Sequence, residues 1–234
     1  MLHTLHQLGA DQVPPQPWRN GGGSTRPLFA WPPASPGGAA APASAATDDW
    51  VLRLSLADIA ADGPFSAFPG VTRWFTVVDG PGVALQAPGL AATLTPESAS
   101  LVFDGALAPM ARLLGGPTRD LNLMLRGVPG GLWRARPGEA WHAPHPWRGL
   151  FCASPVRLRV PGQPPRELPA MTLVHAWLPS QADVPVPRSG PVPCPPDPNA
   201  EAWRIEPSAE HDHGHGQPAP RAWWLSADLT PDAP

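Results

Sequence analysis

The sequence contains no lysine and no tyrosine, so all 16 of its cationic residues are arginines. Without lysine the chain cannot form a Schiff base or supply the lysine of a P-loop, and without tyrosine it has no phenolic general acid. These absences exclude lysine- and tyrosine-dependent catalysis.

Cysteine and charge are also scarce. The two cysteines, Cys152 and Cys194, form no CxxC pair and are too few for the disulfide framework of a secreted protein. Charged residues make up 15% of the chain, the formal net charge is −3, and no block of basic residues is available to neutralise phosphates. We therefore expect reduced thiols and no nucleic-acid partner.

Long apolar runs are missing as well. No run approaches the length of about 18 residues that spans a bilayer. The N-terminal segment MLHTLHQLGADQ has neither the cationic start nor the apolar core of a signal peptide. We predict a cytoplasmic protein with no membrane partner.

Proline and glycine, in contrast, are abundant, with 37 and 23 of the 234 residues. Proline lacks a backbone donor and clashes with the preceding helical turn, so this composition disfavours long helices. Residues 32–48 and 179–221 consist largely of proline and small or polar residues, which bury too little apolar area to offset the cost of ordering. We predict a surface loop and a long insertion there, with one strand-like segment at 202–206.

The rest of the chain contains short segments in which apolar and polar residues alternate. This period of two is typical of β-strands. In WVLRLSLADI (50–59), three leucines alternate with Arg53 and Ser55, and DLNLMLR (120–126) repeats the pattern. Further candidate strands are 72–79, 82–87, 101–104, 148–153, 156–160, 171–178 and 222–229. We therefore predict an all-β chain.

Five motifs follow one another along the first half of the chain. They are PWRNGGGSTR (17–26), RLSLADI (53–59), GPFSAFPGVTR (63–73), FDG (103–105) and DLNLMLR (120–126). In this order they resemble the HutD/Ves family of bacterial cupin-like proteins.

That resemblance implies a cupin-like double β-barrel, or bicupin, with long proline-rich loops. One barrel would cover residues 1–127, and the second would cover residues 128–234 and contain the insertion 179–221. The family is similar to bicupins without a metal and is often encoded beside histidine-degradation genes. The resemblance therefore implies binding of a pathway intermediate such as urocanate or formylglutamate.

Arginines on separate strands are the central candidates for ligand binding. A planar guanidinium binds a carboxylate through two parallel hydrogen bonds, so convergent arginines suit a small carboxylate ligand. The three glycines Gly21 to Gly23 would allow a close approach. Asp120 has a second interpretation, as a buried partner that holds an arginine in place. The predicted ligand-binding residues are Asn20, Thr25, Arg26, Arg53, Ser66, Phe68, Arg73, Asp120, Asn122 and Arg126.

The histidines do not follow the pattern of a metal-binding cupin, in which HxH precedes a glutamate and a later histidine. His142 and His145 lie among prolines with no carboxylate ligand after them, and His175 stands alone in an apolar strand. The HDHGH run at 211–215 lies in the proline-rich insertion, where a solvated loop is favoured. We predict no metal and no cofactor.

The favoured interpretation is a metal-independent protein that binds a small carboxylate and modulates histidine catabolism. Exposed barrel edges are compatible with a homodimer. Two alternatives stay open: a metal-free isomerase, hydrolase or lyase with Asp120 or His142 as general base, and a stress-response interaction protein. The tryptophan-rich segment 133–147 also offers an aromatic wall for a flat ligand.

Overall fold

The computed structural model describes residues 4–32, 50–177, 202–208 and 219–229. Within these ranges the chain forms eighteen β-strands and one 3₁₀ turn, Ala10–Gln12. In chain order the strands are β1 (His6–Gly9), β2 (Gln16–Pro17), β3 (Gly23–Trp31), β4 (Leu52–Ile59), β5 (Gly63–Pro64), β6 (Thr72–Asp79), β7 (Val83–Ala87), β8 (Leu90–Leu94), β9 (Leu101–Asp104), β10 (Met110–Leu113), β11 (Thr118–Leu125), β12 (Gly130–Arg134), β13 (Trp147–Cys152), β14 (Val156–Arg159), β15 (Arg166–Leu168), β16 (Thr172–Trp177), β17 (Arg204–Pro207) and β18 (Ala222–Ala227).

The structure confirms the predicted all-β fold class. Each segment that alternates in the sequence contains a strand, and the strand-like segment 202–206 overlaps β17. Most of the two proline-rich stretches, with Cys194 and the HDHGH run, lies outside the described residues. No helix long enough to cross a membrane occurs in the described ranges.

The strands form four antiparallel sheets. The six-stranded sheet has the order β2-β3-β4-β11-β6-β9, and the four-stranded sheet has the order β5-β10-β7-β8. The five-stranded sheet has the order β1-β16-β13-β18-β12, and the three-stranded sheet has the order β15-β14-β17. Apolar clusters fill the spaces between neighbouring sheets. The sheets are therefore stacked in the order four-stranded, six-stranded, five-stranded and three-stranded.

The central cluster lies between the six-stranded and five-stranded sheets. Because side chains alternate along a strand, the leucines of β4 and β11 all project from one face. They pack against Trp147, Phe151 and Trp223 of the five-stranded sheet. This packing occupies one face of β4 and β11, so the polar side chains between the leucines project from the other face.

The outer sheets enclose the two remaining clusters. Phe75 and Val77 of the six-stranded sheet pack against Val83 and Leu85 of the four-stranded sheet. Leu150 of the five-stranded sheet belongs to the matching cluster with the three-stranded sheet. The polar face of β4 and β11 therefore lies on the side of the four-stranded sheet.

Strand β1 crosses between the two halves of the chain. It pairs with β16, with His6 opposite His175, whereas β2 to β11 form the six- and four-stranded sheets. The pairings among the described residues do not close either pair of sheets into a barrel. The double barrel and its boundaries at residues 1–127 and 128–234 therefore stay predictions.

Candidate functional site

Arg53 and Arg73 lie on the two strands that flank β11, and both are in register with Met124. Residues opposite one another in antiparallel strands project from the same face of the sheet. Asn122 and Asp120 share that face because they precede Met124 by two and four residues. The structure thus places Arg53, Arg73, Asn122 and Asp120 together on the polar face of the six-stranded sheet.

Aromatic rings enclose Arg73, which is only 5% exposed. Its Cζ atom lies 5.2 Å from the ring centroid of Phe65 and 5.1 Å from that of Phe103. Phe68 is slightly farther away, at 5.8 Å. Guanidinium groups are attracted to the faces of such rings. Nη1 also donates to the backbone oxygen of Ser66 at 3.3 Å, so several contacts fix the position of this charge.

Asn122 joins Arg73 to Asp120. Nη2 of Arg73 donates to Oδ1 of Asn122 at 2.7 Å. Because arginine can only donate, this contact determines which end of the Asn122 amide carries the oxygen. Nδ2 of Asn122 then donates to Oδ1 of Asp120. The resulting Arg73–Asn122–Asp120 chain is buried throughout.

Each end of this hydrogen-bonded series carries a buried polar atom that has no hydrogen-bond partner among the described residues: Nε of Arg73 and Oδ2 of Asp120. Buried polar atoms in folded proteins are nearly always paired with protein or with ordered water. Both atoms are therefore available to a further polar group.

Burial also determines the charges of the cluster. It raises the pKa of the Asp120 carboxyl well above its ordinary value, although the charge of Arg73 acts in the opposite direction. Burial lowers the pKa of Arg73 to about 10, with Asp120 raising it and Arg53 lowering it further. At neutral pH the Arg73 guanidinium therefore keeps its charge, whereas burial favours the neutral form of Asp120.

Arg53 supplies the second positive charge. Its guanidinium is half-buried, and burial lowers its pKa. In the described part of the chain this guanidinium has no hydrogen-bond or ion-pair partner. Ser55 is buried on the same face, opposite Asn122. An anion next to Arg53 would offset the cost of partly desolvating this charge.

Arg126 lies just beyond the end of β11. Its Cζ atom is 4.7 Å from the ring centroid of Trp50, and Trp50 packs in one cluster with Val71 and Met124. Phe68 packs against the same cluster. Arg126 is therefore next to the group that contains Met124, at the edge of the polar face.

Arg26 does not join the other arginines. It is opposite Leu56 and projects from the leucine face, where it forms an ion pair with Asp58. Arg119 binds the other oxygen of Asp58 at 2.6 Å. Burial acts to raise the pKa of Asp58, but the hydrogen bonds and charges of Arg119 and Arg26 outweigh this effect and lower it. Arg26 is thus neutralised in a separate ion-pair network.

The glycine-rich segment forms the turn of the hairpin between β2 and β3. The backbone N–H of Gly22 donates to Oδ1 of the exposed Asn20, and a Cβ on Gly23 would lie 2.2 Å from the backbone oxygen of Asp58. The close approach that Gly23 allows is therefore to a neighbouring strand. Thr25 lies on the polar face by register, but its hydroxyl accepts a hydrogen bond from Trp18 at 2.7 Å.

Ser66 is exposed. Its contact with the cluster is made by the backbone oxygen that accepts from Arg73. The side chain of Phe68 is half-buried against Trp50, Val71 and Met124. Both residues thus help to hold the cluster, Ser66 through its main chain and Phe68 through its ring.

One surface groove lies beside these groups and another lies in the second half of the chain. A groove of about 490 Å³ borders the cluster and shares Val71 and Phe103 with its surroundings, but neither Arg53 nor Arg73 lines it. A second groove, of about 330 Å³, is lined by Trp133, Trp141 and other residues of the tryptophan-rich segment.

No group of three or more His, Cys, Asp or Glu residues with the geometry of a metal site occurs among the described residues.

Comparison with known proteins identifies the family. The family described as HutD matches residues 10–136, which is more than half of the chain and includes every predicted site residue. This chain belongs to the HutD family.

Curated relatives of this HutD chain match about half of its length. An uncharacterised 21.2 kDa protein in the hutC 3′ region of Pseudomonas putida is 33% identical over 123 residues, 53% of this chain and 59% of that protein. Protein Ves of Citrobacter koseri is 34% identical over 116 residues, 49% of this chain and 54% of the relative. The matched part thus spans only a little over half the length of each relative.

Solved structures extend the similarity to the whole HutD chain at the level of fold. HutD from Pseudomonas fluorescens SBW25, solved in a formate condition, has a TM-score of 0.67 at 22% identity and covers 96% of this chain and 98% of its own. Oxalate decarboxylase of Bacillus subtilis has a TM-score of 0.55 at 8% identity and covers 97% of this chain and 78% of its own. The HutD chain is all-β with a cupin-like fold.

The sequence analysis did not select several residues that surround Arg53, Arg73, Asn122 and Asp120, or that bind the neighbouring Arg26. Ser55 follows Arg53 by two residues, so the same alternation that selected Arg53 also predicts its place on the polar face. Asp58, the penultimate residue of the same strand, has the parity of the leucines, so alternation predicts its place on the leucine face with Arg26. Phe65 and Phe103 gave no comparable signal, because their contacts with Arg73 depend on how separate loops and strands pack.

Proposed function

We propose that this HutD-family chain binds a small carboxylate between Arg53 and Arg73 without a metal ion. The observation that carries the proposal is the guanidinium of Arg53, which lies on the same face as Arg73. Neither this guanidinium nor Nε of Arg73 has a partner within residues 4–32, 50–177, 202–208 and 219–229. Both groups are stabilised when an anion accepts their hydrogen bonds.

The chemistry of the cluster favours a carboxylate. Guanidinium groups form paired hydrogen bonds with a carboxylate, and such charge-assisted bonds are stronger than neutral ones. Burial keeps Asp120 from cancelling the positive charge, since it favours the neutral carboxyl. Asn122 and Ser55 supply polar groups that can orient the bound molecule.

Binding is favoured over catalysis because of the state of Asp120. A general base must accept a proton, but burial raises the pKa of this carboxyl and so favours the form that already carries one. Asp120 therefore suits a hydrogen-bond donor better than a base.

The proposed role is to modulate histidine catabolism in the cytoplasm by binding a pathway intermediate such as urocanate or formylglutamate. The support is the family itself and a relative described by its place in the hutC 3′ region. A histidine-degradation cluster beside the gene for this chain would strengthen this role, and its absence would oppose it.

Thermal-shift measurements with formate, urocanate and formylglutamate test the binding. A ligand that binds only the folded state raises its melting temperature in proportion to the logarithm of ligand concentration. We expect stabilisation of the wild type and none of Arg53→Gln. Arg119→Gln is the matched control, because Arg119 lies on the opposite face of the same sheet, and it should keep the response. Equal responses of both variants, or no response of the wild type, would contradict the proposal.

A further inference from the structure

The two carboxyl oxygens of Asp120 differ in their hydrogen bonding. Asn122 donates to Oδ1, whereas Oδ2 is buried and has no partner in the part of the chain that the structure describes. The Asn122 amide cannot be turned round, because its oxygen accepts from Arg73. Any proton on Asp120 therefore resides on Oδ2, the oxygen that is free to donate.

The surroundings of Asp120 contain few charges to stabilise a carboxylate. The residues opposite it are Ala57 on β4 and Val77 on β6, both apolar and buried. The four-stranded sheet contributes apolar core residues such as Val83 to the cluster over this face. Burial raises the pKa of Asp120 and outweighs the opposing charge of Arg73, and the charge of Asp58 adds to the effect of burial.

We propose that carboxylate binding at Arg53 and Arg73 is coupled to protonation of Asp120, an inference that rests on the proposed function. The site then binds its ligand as an anion and holds a proton on Asp120. The neutral carboxyl adds no negative charge beside the bound anion, and its Oδ2 can donate a hydrogen bond. An ionised Asp120 would instead repel the anion and lower its affinity.

The coupling works in both directions by linkage. A bound anion makes ionisation of Asp120 less favourable, so protein that has lost this proton regains it when the ligand binds. Affinity for the anion therefore falls as the pH rises through the range in which Asp120 ionises. A tenfold loss of affinity per pH unit is the limit for a single coupled proton.

Isothermal titration calorimetry with formate tests this coupling between about pH 5 and about pH 9, a range that begins near the ordinary carboxyl pKa. Titrations of wild type in two buffers with different heats of ionisation report directly how many protons are taken up. We expect formate affinity to fall about tenfold or more over this range, with net proton uptake in the same interval. Asp120→Asn is the matched variant, since its amide stays neutral and can still accept from Asn122.

Asp120→Asn should bind formate with nearly constant affinity and no proton uptake over the range. Formate binding by wild type without uptake and without pH dependence would overturn the coupling and leave carboxylate binding intact. The same uptake in wild type and Asp120→Asn would also overturn it, because another group would then carry the proton. No formate binding by wild type at any pH would instead overturn the proposed function, and the coupling with it.

Discussion

Arg53 and Arg73 are in register with the same residue, Met124, from opposite sides of β11. The six-stranded sheet therefore holds two guanidinium groups on one face, separated by a single strand. Their environments differ: Arg73 is 5% exposed and bound to Asn122, whereas the guanidinium of the half-buried Arg53 has no partner in the described part of the chain. One arginine is fixed by the fold, and the other is available to a ligand.

This difference predicts distinct results for Arg53→Gln and Arg73→Gln. Both should lose formate binding. Arg73→Gln should also lower the free energy of unfolding by about 2–3 kcal/mol, because it removes a buried hydrogen bond to a charged group. Arg53→Gln should change it by less than about 0.5 kcal/mol. Urea denaturation followed by circular dichroism measures both, and equal destabilisation would contradict the assignment.

Gly23 is predicted to be essential for the hairpin that leads into β3. A Cβ on this residue would lie 2.2 Å from the backbone of Asp58 and 3.0 Å from the ring of Trp18. Gly23→Ala should therefore destabilise the fold by about 2–3 kcal/mol and lower the melting temperature by roughly 5–10 °C.

Gly22→Ala is the control for that experiment. Its Cβ would approach only the side chain of Asn20, at 3.3 Å. Because this side chain is exposed and can move, the melting temperature should stay within about 2–3 °C of wild type. A Gly23→Ala protein as stable as Gly22→Ala would show that the two strands are not packed as described.

His175 should contribute to the acid sensitivity of the fold. Burial, assisted by the charge of His6, lowers its pKa to about 4. Because this value lies below that of an unfolded histidine, the stability from the neutral ring is fully present above about pH 6.5 and is lost as the pH falls through about 4. His175→Phe should reduce the fall in melting temperature over this interval. An unchanged pH profile would show that another group dominates.

Asp120 should have the opposite effect on stability. Because burial raises its pKa, its contribution is fully present below the pKa of an unfolded aspartate and is lost as the pH rises through the folded-state value. The free energy of unfolding of Asp120→Asn relative to wild type should therefore increase with pH by up to about 1.4 kcal/mol per unit from about pH 4 upward. A difference that is independent of pH would mean that Asp120 titrates normally.

The strands of the site were predictable because alternation is a local property of the sequence. The alternating leucines predicted both β4 and β11. They also predicted that Arg53 and Asn122 lie on the face opposite the leucines, as the structure shows. Strands without such alternation, among them β8 and β12, were not anticipated. β3 was also not predicted, because its glycine-rich start is typical of a loop. Its pairing with β4 is also irregular, with a register shift between Pro27 and Phe29.

Partners across the sheets could not be predicted in the same way. Arg26 and Arg53 both lie in the motifs that resemble the family. Strand register places Arg26 on the leucine face and Arg53 on the polar face. The fixed orientation of Asn122 depends on Arg73, which is 49 residues away. Such contacts depend on the pairing of distant strands, which a single sequence does not specify.

The most direct test of carboxylate binding is a crystal structure of this chain with bound formate. We expect formate density on the polar face of the six-stranded sheet, with its oxygens about 3 Å from nitrogens of both Arg53 and Arg73. The hydrogen bond between Asn122 and Asp120 should persist in the complex. Formate bound elsewhere, or an Arg53 side chain turned into solvent while formate occupies another site, would contradict the account.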